Sequence, residues 1–333
     1  NITPGYAENG FLNLLFHHKF ETNHKFYVNY TKTGPKFGIA EFTMKEDFTV
    51  DPTTFKELGT FPQYAFRDGA FPVGTANSTN HVGSMMAFGP DGCLYVVDFC
   101  RKWVEHPDFV PADLRAGVDW RTGESLGRIW RIRAKAGGAG APPKLAGASS
   151  HQLARALESP NGWTRDQAHR LLLEQKDPAA RKALQRLARQ NENPQATVHA
   201  LHLLRACGWL SPPLLARALG HDHPQVRRNA LLLSETCLGD STGLATAVAQ
   251  CAGDPDAQVR FQAVLAAVSL AKGTRREMMA AASAQPCDEW LQAALLCAAG
   301  DDAPAMLGAL LDAPDSTGAS VLCRSEEHTS ELQ

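Results

Sequence analysis

Between residues 164 and 298 the chain repeats itself, and this limits the fold more than any other feature. TRDQAHRLLL (164–173), ATVHALHLLR (196–205), VRRNALLLSE (226–235), VRFQAVLAAV (259–268) and EWLQAALLCA (289–298) align on Ala168, Ala200, Ala230, Ala263 and Ala293, which are 32, 30, 33 and 30 residues apart. A period near thirty with two short helices per unit is the signature of an α-solenoid, whose units bury their apolar stripes only by stacking. A small anchor residue lets paired helices approach closely. Arg165, Arg227 and Arg260 stand three residues before the anchor and are expected to tie neighbouring units together or face solvent. Pro-containing turns (SPNG, ENP, DHP, GDPD) precede most copies. Proline suits a helix start, where its missing N–H costs nothing. Residues 151–312 therefore read as about five HEAT-like repeats.

Residues 1–135 follow a different period. FYVNY (26–30), FGIAEF (37–42), CLYVVDF (93–99) and GRIWRI (127–132) are short aromatic or β-branched runs bounded by turn residues, as strands are. Leu94 and Val96 alternate with Tyr95 and Val97, so this strand is expected to be covered on both faces, as in sandwiches and propeller blades. Before it, Gly89-Pro90-Asp91-Gly92 predicts a turn in which Pro90 presets φ and Gly92 takes a positive φ. AGGAGAPPKLAGASS (136–150) has no periodicity and reads as a linker.

A net charge of −2 gives no general pull toward nucleic acid or anionic membrane. No apolar run is long enough to span a bilayer as a helix. The eight cysteines form no CxxC pair, so zinc or disulfide frameworks are not expected, and such scattered thiols lean toward a reducing compartment. The first residue is Asn1, with no leader after it. RSEEHTSELQ (324–333) breaks from the Ala/Leu-rich pattern and reads as translated adapter sequence; residues 313–333 are expected to be a disordered tail.

HVGSMMAFGPDGCLYVVDFCRKWVEHPDFVP (81–111), followed by GRIWRI, a linker and HEAT-like repeats, resembles the PVC-type membrane-bound dehydrogenases, also called haem-binding CxxCH proteins. The resemblance implies the C-terminal blades of a quinoprotein glucose/sorbosone dehydrogenase-like β-propeller over 1–135, then the solenoid, in an exported periplasmic or envelope protein. It further implies oxidation of a sugar or alcohol with pyrroloquinoline quinone and Ca²⁺, electrons passing to a c-type haem module. This chain holds no CxxCH to attach a haem, so no cofactor is expected within it. Family members often carry aromatic-Arg-Pro where this chain has Asn80-His81-Val82-Gly83. A propeller ring needs about four blades and 1–135 supplies two or three, so the chain is expected to begin inside the ring.

Propeller sites lie on loops around the central channel, which makes Asp98 and Arg101 candidate site residues. His81 suits a base that takes a proton as hydride leaves, and Arg101 a clamp on the quinone carboxylates. The plainer readings are preferred: Asp98 caps a turn, Arg101 lies on the surface and His81 is a loop residue. Glu105-His106-Pro107 reads as a loop stiffener before an oriented imidazole. His17, His18 and His24 lack the spacing of a metal site. Trp103, Trp120 and Trp130 read as packing aromatics, one of them free to stack a sugar. His169, His199, His202, His221 and His223 are expected on different faces and turns, with no chemistry. There is no phosphate loop and no GxSxG nucleophile. A second function remains open: a non-catalytic propeller and solenoid that binds a protein or glycan partner.

Overall fold

The computed structural model describes residues 11–32, 36–62, 85–98, 107–109, 111–121, 124–134, 140–190, 192–238, 241–300 and 303. They form a mixed β and α protein whose contacts divide it between Lys144 and Leu145, with Pro160–Thr164 counted in the first unit. The division falls inside the glycine-rich stretch. On one side of it the Gly140 N–H donates to the Asp91 carbonyl. On the other, Leu145 and Ala148 pack on the helical core, and Ser149 caps the next helix in a capping box with Gln152.

In the first unit β1 (Phe11–Phe16), β2 (Lys25–Lys32), β3 (Lys36–Met44) and β4 (Val50–Pro62) form one antiparallel sheet in chain order, with a short α1 (Phe20–Asn23) between β1 and β2. β5 (Met86–Phe88), β6 (Leu94–Asp98) and β7 (Arg128–Ile132) form a second, with α2 (Ala112–Arg115) between β6 and β7. Phe37, Ile39 and Phe61 of the first sheet share a core with Met86, Leu94 and Val96 of the second, and Trp130 packs against it. Residues of opposite parity, Phe26, Val28, Tyr30 and Ala40, make a separate cluster on the other face of the first sheet.

Two expectations change here. β6 is not covered on both faces: Leu94, Val96 and Asp98 are buried, but Val97 and its cross-strand neighbour Ile129 are exposed. Apolar content on both parities does not by itself report burial, because exposed β-branched residues also fit a pleated surface. β1, β4 and β5 were not among the expected strands; β4 carries Pro52, Gly59 and a run of polar residues, which an outer strand tolerates.

The helical part comprises α3 (Ser150–Ala156), α4 (Gly162–Gln175), α5 (Arg181–Leu187), α6 (Pro194–Ala206), α7 (Pro212–Leu219), α8 (Pro224–Ser234), α9 (Thr242–Gln250), α10 (Ala257–Ala266), α11 (Lys272–Ser283) and α12 (Glu289–Ala299). α6, α8, α10 and α12 pack side by side in that order, while α7, α9 and α11 follow one another in a second row. Pro194 and Pro224 open their helices. Ala168, Ala200, Ala230 and Ala263 are fully buried between helices. Ala293 is exposed and its neighbour Ala294 is the buried residue, so the last copy is shifted by one. Two adjacent alanines left the alignment undetermined there, and only the side facing the core decides it.

The arginines do both local and long-range work. Arg165, Arg227 and Arg260 each donate to the carbonyl six residues earlier, those of Ser159, His221 and Asp254, tying down the turn before their own helix. Two also reach the next unit: Arg227 makes paired 2.7 Å bonds to Asp254, and Arg260 donates to the Pro286 carbonyl. In the second copy, where Thr197 stands in the arginine's place, its hydroxyl does the local part, lying within bonding distance of the Leu187, Gln190 and Asn193 carbonyls.

Candidate functional site

The turn before β6 builds the first part of the candidate site. Gly92 adopts φ 75° and its N–H closes the turn onto the Gly89 carbonyl at 3.0 Å. The Tyr95 ring lies over Gly89 so closely that a Cβ there would collide with it. Asp91 then becomes a hub: Oδ1 accepts the Cys93 N–H at 3.0 Å, and Oδ2 accepts the Tyr95 hydroxyl at 3.1 Å and the Arg131 guanidinium at 2.5 Å. Burial pushes the Asp91 carboxyl up, but these donors and the Arg131 charge outweigh it and hold the group below the usual carboxylate range.

Asp98 ends β6 directly across from Arg128 on β7. Its side chain is 4 % exposed; Oδ2 accepts the Trp130 indole N–H at 2.7 Å and forms an ion pair with the Arg128 guanidinium, also at 2.7 Å. The Arg128 guanidinium also lies 5.2 Å from the Trp130 ring centre. Asp98 is therefore a cross-strand tie; the turn it was expected to cap, over residues 99–106, lies outside the described residues. Charge-assisted bonds of this kind fix β7 against β6 and hold Trp130 over the core. A carboxylate already engaged by a cation is also a poor Ca²⁺ ligand. Among the described residues no group of three or more His, Cys, Asp or Glu side chains is placed to hold a metal.

Of the remaining sequence candidates, His81, Arg101, Trp103, Glu105 and His106 lie outside the described residues. Trp120 is partly buried. His17 and His18 stack at 4.1 Å with both rings edge-on to Phe88, and His17 Nδ1 accepts from the Lys19 N–H and the Asn23 amide. His24 instead meets Phe20 at a positive φ of 50°, so the three do not converge through these contacts.

The expectation that the helical histidines lie apart is overturned for two of them. His169 of α4 and His199 of α6 meet with their Nδ1 atoms 3.1 Å apart, the rings edge to face. His202, one turn further along α6, bonds through Nε2 to the Asn229 Oδ1 at 2.9 Å. His199 precedes its anchor Ala200 and His169 follows Ala168, so the signal was present once the repeats were superposed. What hid it was the change of offset between units. His221 is structural: buried, it reaches the Gln190 carbonyl through Nε2 and accepts the His223 N–H on Nδ1. His223 caps α8.

A family model described as a domain of unknown function (DUF7133) matches residues 80–136, the stretch that contains the whole second sheet. No curated protein matches the chain. No described helix is long and apolar enough to cross a membrane.

Proposed function

We propose that this chain belongs to an exported oxidoreductase-like protein in which β-propeller blades lead into a HEAT-like α-solenoid, and that the residues described here hold that assembly together rather than carry its chemistry. One juxtaposition supports the reading. The stretch bearing the dehydrogenase resemblance folds as a three-stranded antiparallel sheet, and two rows of packed helices follow it in the chain. In this reading Asp98 anchors β6 to β7, and quinone, Ca²⁺ and the sugar or alcohol substrate are held by other residues. Burial protects three of the helical thiols, as export would require: it pushes Cys251 up to about 11 and raises Cys207 and Cys287, while Cys297 is exposed.

The test is acceptor reduction by the whole protein, isolated from the cell envelope, over a panel of sugars and alcohols with and without pyrroloquinoline quinone and Ca²⁺. The expected result is quinone-dependent turnover that Asp98→Asn preserves per folded molecule. Absence of both turnover and quinone binding contradicts the oxidoreductase reading; loss of turnover in a well-folded Asp98→Asn protein contradicts the framework role.

The engagement of Asp98 by Arg128 and Trp130 favours a second reading, a non-catalytic propeller and solenoid that holds a protein or glycan. It predicts no quinone binding, and a partner whose affinity falls on substitution of exposed solenoid residues.

A further inference from the structure

The contact between α4 and α6 has the spacing of a metal chelate. Two ligand nitrogens bound 2.0–2.1 Å from one ion at tetrahedral or right angles lie about 2.8–3.4 Å apart. The Nδ1 atoms of His169 and His199 stand 3.1 Å apart. Nothing else bonds to either atom among the described contacts, so the pair is joined only by a single shared hydrogen.

The tautomers suit the exchange of that hydrogen for a cation. On the far side of His199, Nε2 faces the Asp166 carboxylate at 3.9 Å. That negative charge favours the Nε2–H tautomer, leaving the Nδ1 lone pair directed at His169. Histidine metal sites commonly carry a carboxylate bonded to the distal nitrogen of a ligating imidazole, and a small rotation of the exposed Asp166 side chain would close the 3.9 Å gap to such a bond. His169 need only move its proton from Nδ1 to Nε2 to offer a second lone pair. His202 is fixed in turn: the Asn229 amide donates to the Gln225 carbonyl, which turns its Oδ1 toward His202 Nε2 and leaves the His202 lone pair on Nδ1.

We propose that His169 and His199 form a two-imidazole clamp for a borderline divalent cation of the zinc, nickel or copper class, with Asp166 orienting His199 and water completing the coordination. Imidazole nitrogen selects this class over Mg²⁺ or Ca²⁺. The clamp bridges two successive repeats, so an ion held there cross-links α4 to α6.

Zn²⁺ titration of the metal-stripped full chain at neutral pH tests this, read by calorimetry and by X-ray absorption at the zinc edge. The expected result is one site whose spectrum shows imidazole nitrogen at about 2.0 Å. His169→Gln and His199→Gln each weaken it at least tenfold, roughly the effect of losing a ligand or its support. Asp166→Asn weakens it less, and His151→Gln leaves it unchanged. Absence of binding overturns the proposal, and so does binding that survives both ligand substitutions, as a site at His17 and His18 would give. Helical circular dichroism confirms that each variant is folded. Should the two glutamine variants unfold, the zinc-edge spectrum of the parent and the Asp166→Asn affinity decide the matter.

Discussion

The two halves of this protein solve the same problem, fixing one element against the next, by different means. In the β unit the described ties cross strands at unequal separations: Lys25 to Glu41 spans 16 residues, Lys32 to Glu57 25 and Asp98 to Trp130 32, while Asp91 in the turn before β6 binds Arg131 of β7. In the helical unit the ties are many and repeat at nearly constant separation. Arg227 to Asp254 spans 27 residues, His202 to Asn229 27, Gln262 to Glu235 27, and His169 to His199 30. A lost tie in the sheet therefore exposes a whole strand, whereas a lost tie in the array loosens one junction.

The sharpest way to break this contrast is Arg227→Met. It strands the buried Asp254 carboxylate and frees two turn carbonyls, at a cost of about 3–5 kcal/mol by urea unfolding followed by helical circular dichroism. Arg170→Met, which breaks an exposed pair with Glu174, is expected to cost less than about 1 kcal/mol. Equal costs would mean that burial of the Arg227 pair contributes nothing.

Asp98→Asn comes next. The amide keeps one bond from Trp130 or Arg128 but leaves the guanidinium without its counter-charge, for about 2–4 kcal/mol of β-unit stability. Hydrogen exchange on the β6 and β7 amides reads it, and unchanged protection would remove Asp98 from the framework.

Overpacking tests the anchor alignment. Ala263→Leu forces a larger side chain into a fully buried site, at about 1–3 kcal/mol, whereas Ala293→Leu on the exposed side stays within about 0.5 kcal/mol. Comparable losses at both positions would restore Ala293 as the anchor.

Acid gives the last comparison. His199 titrates near 6.5 when unfolded and about 4 when folded, so between these values the unfolded chain binds the extra proton. Its contribution is complete above pH 6.5, declines as pH falls toward 4 and is flat below. After allowance for partial solvent screening this is on the order of 1–2 kcal/mol. His199→Gln removes that slope from the urea midpoints; an identical slope in the variant would assign it elsewhere.

The same contrast governs what the sequence made legible. Repetition is visible in a single chain because five copies report one environment, and the helices, their proline starts and four of the five anchors follow from it. The Ala293–Ala294 ambiguity arose where no arginine marked the phase. In the β part the aromatic runs revealed β2, β3, β6 and β7, but the polar β4 carried no such signal. Asp98 was picked out by its place at a strand end, yet its role depends on Arg128 and Trp130, thirty residues away in sequence and adjacent only through register. His169 and His199 were visible as residues but not as a pair, since their separation becomes a contact only after the helices stack.

The most direct test of neighbour-by-neighbour coupling is native-state hydrogen exchange on the full chain, comparing the parent with Arg227→Met under conditions where both are folded. Coupling through successive junctions predicts that protection falls in α8, α9 and α10, around the broken Arg227–Asp254 bond, and stays at parental values in α3 and α5. A uniform fall from α3 to α12 would show that the helices unfold as one block, and would contradict the account.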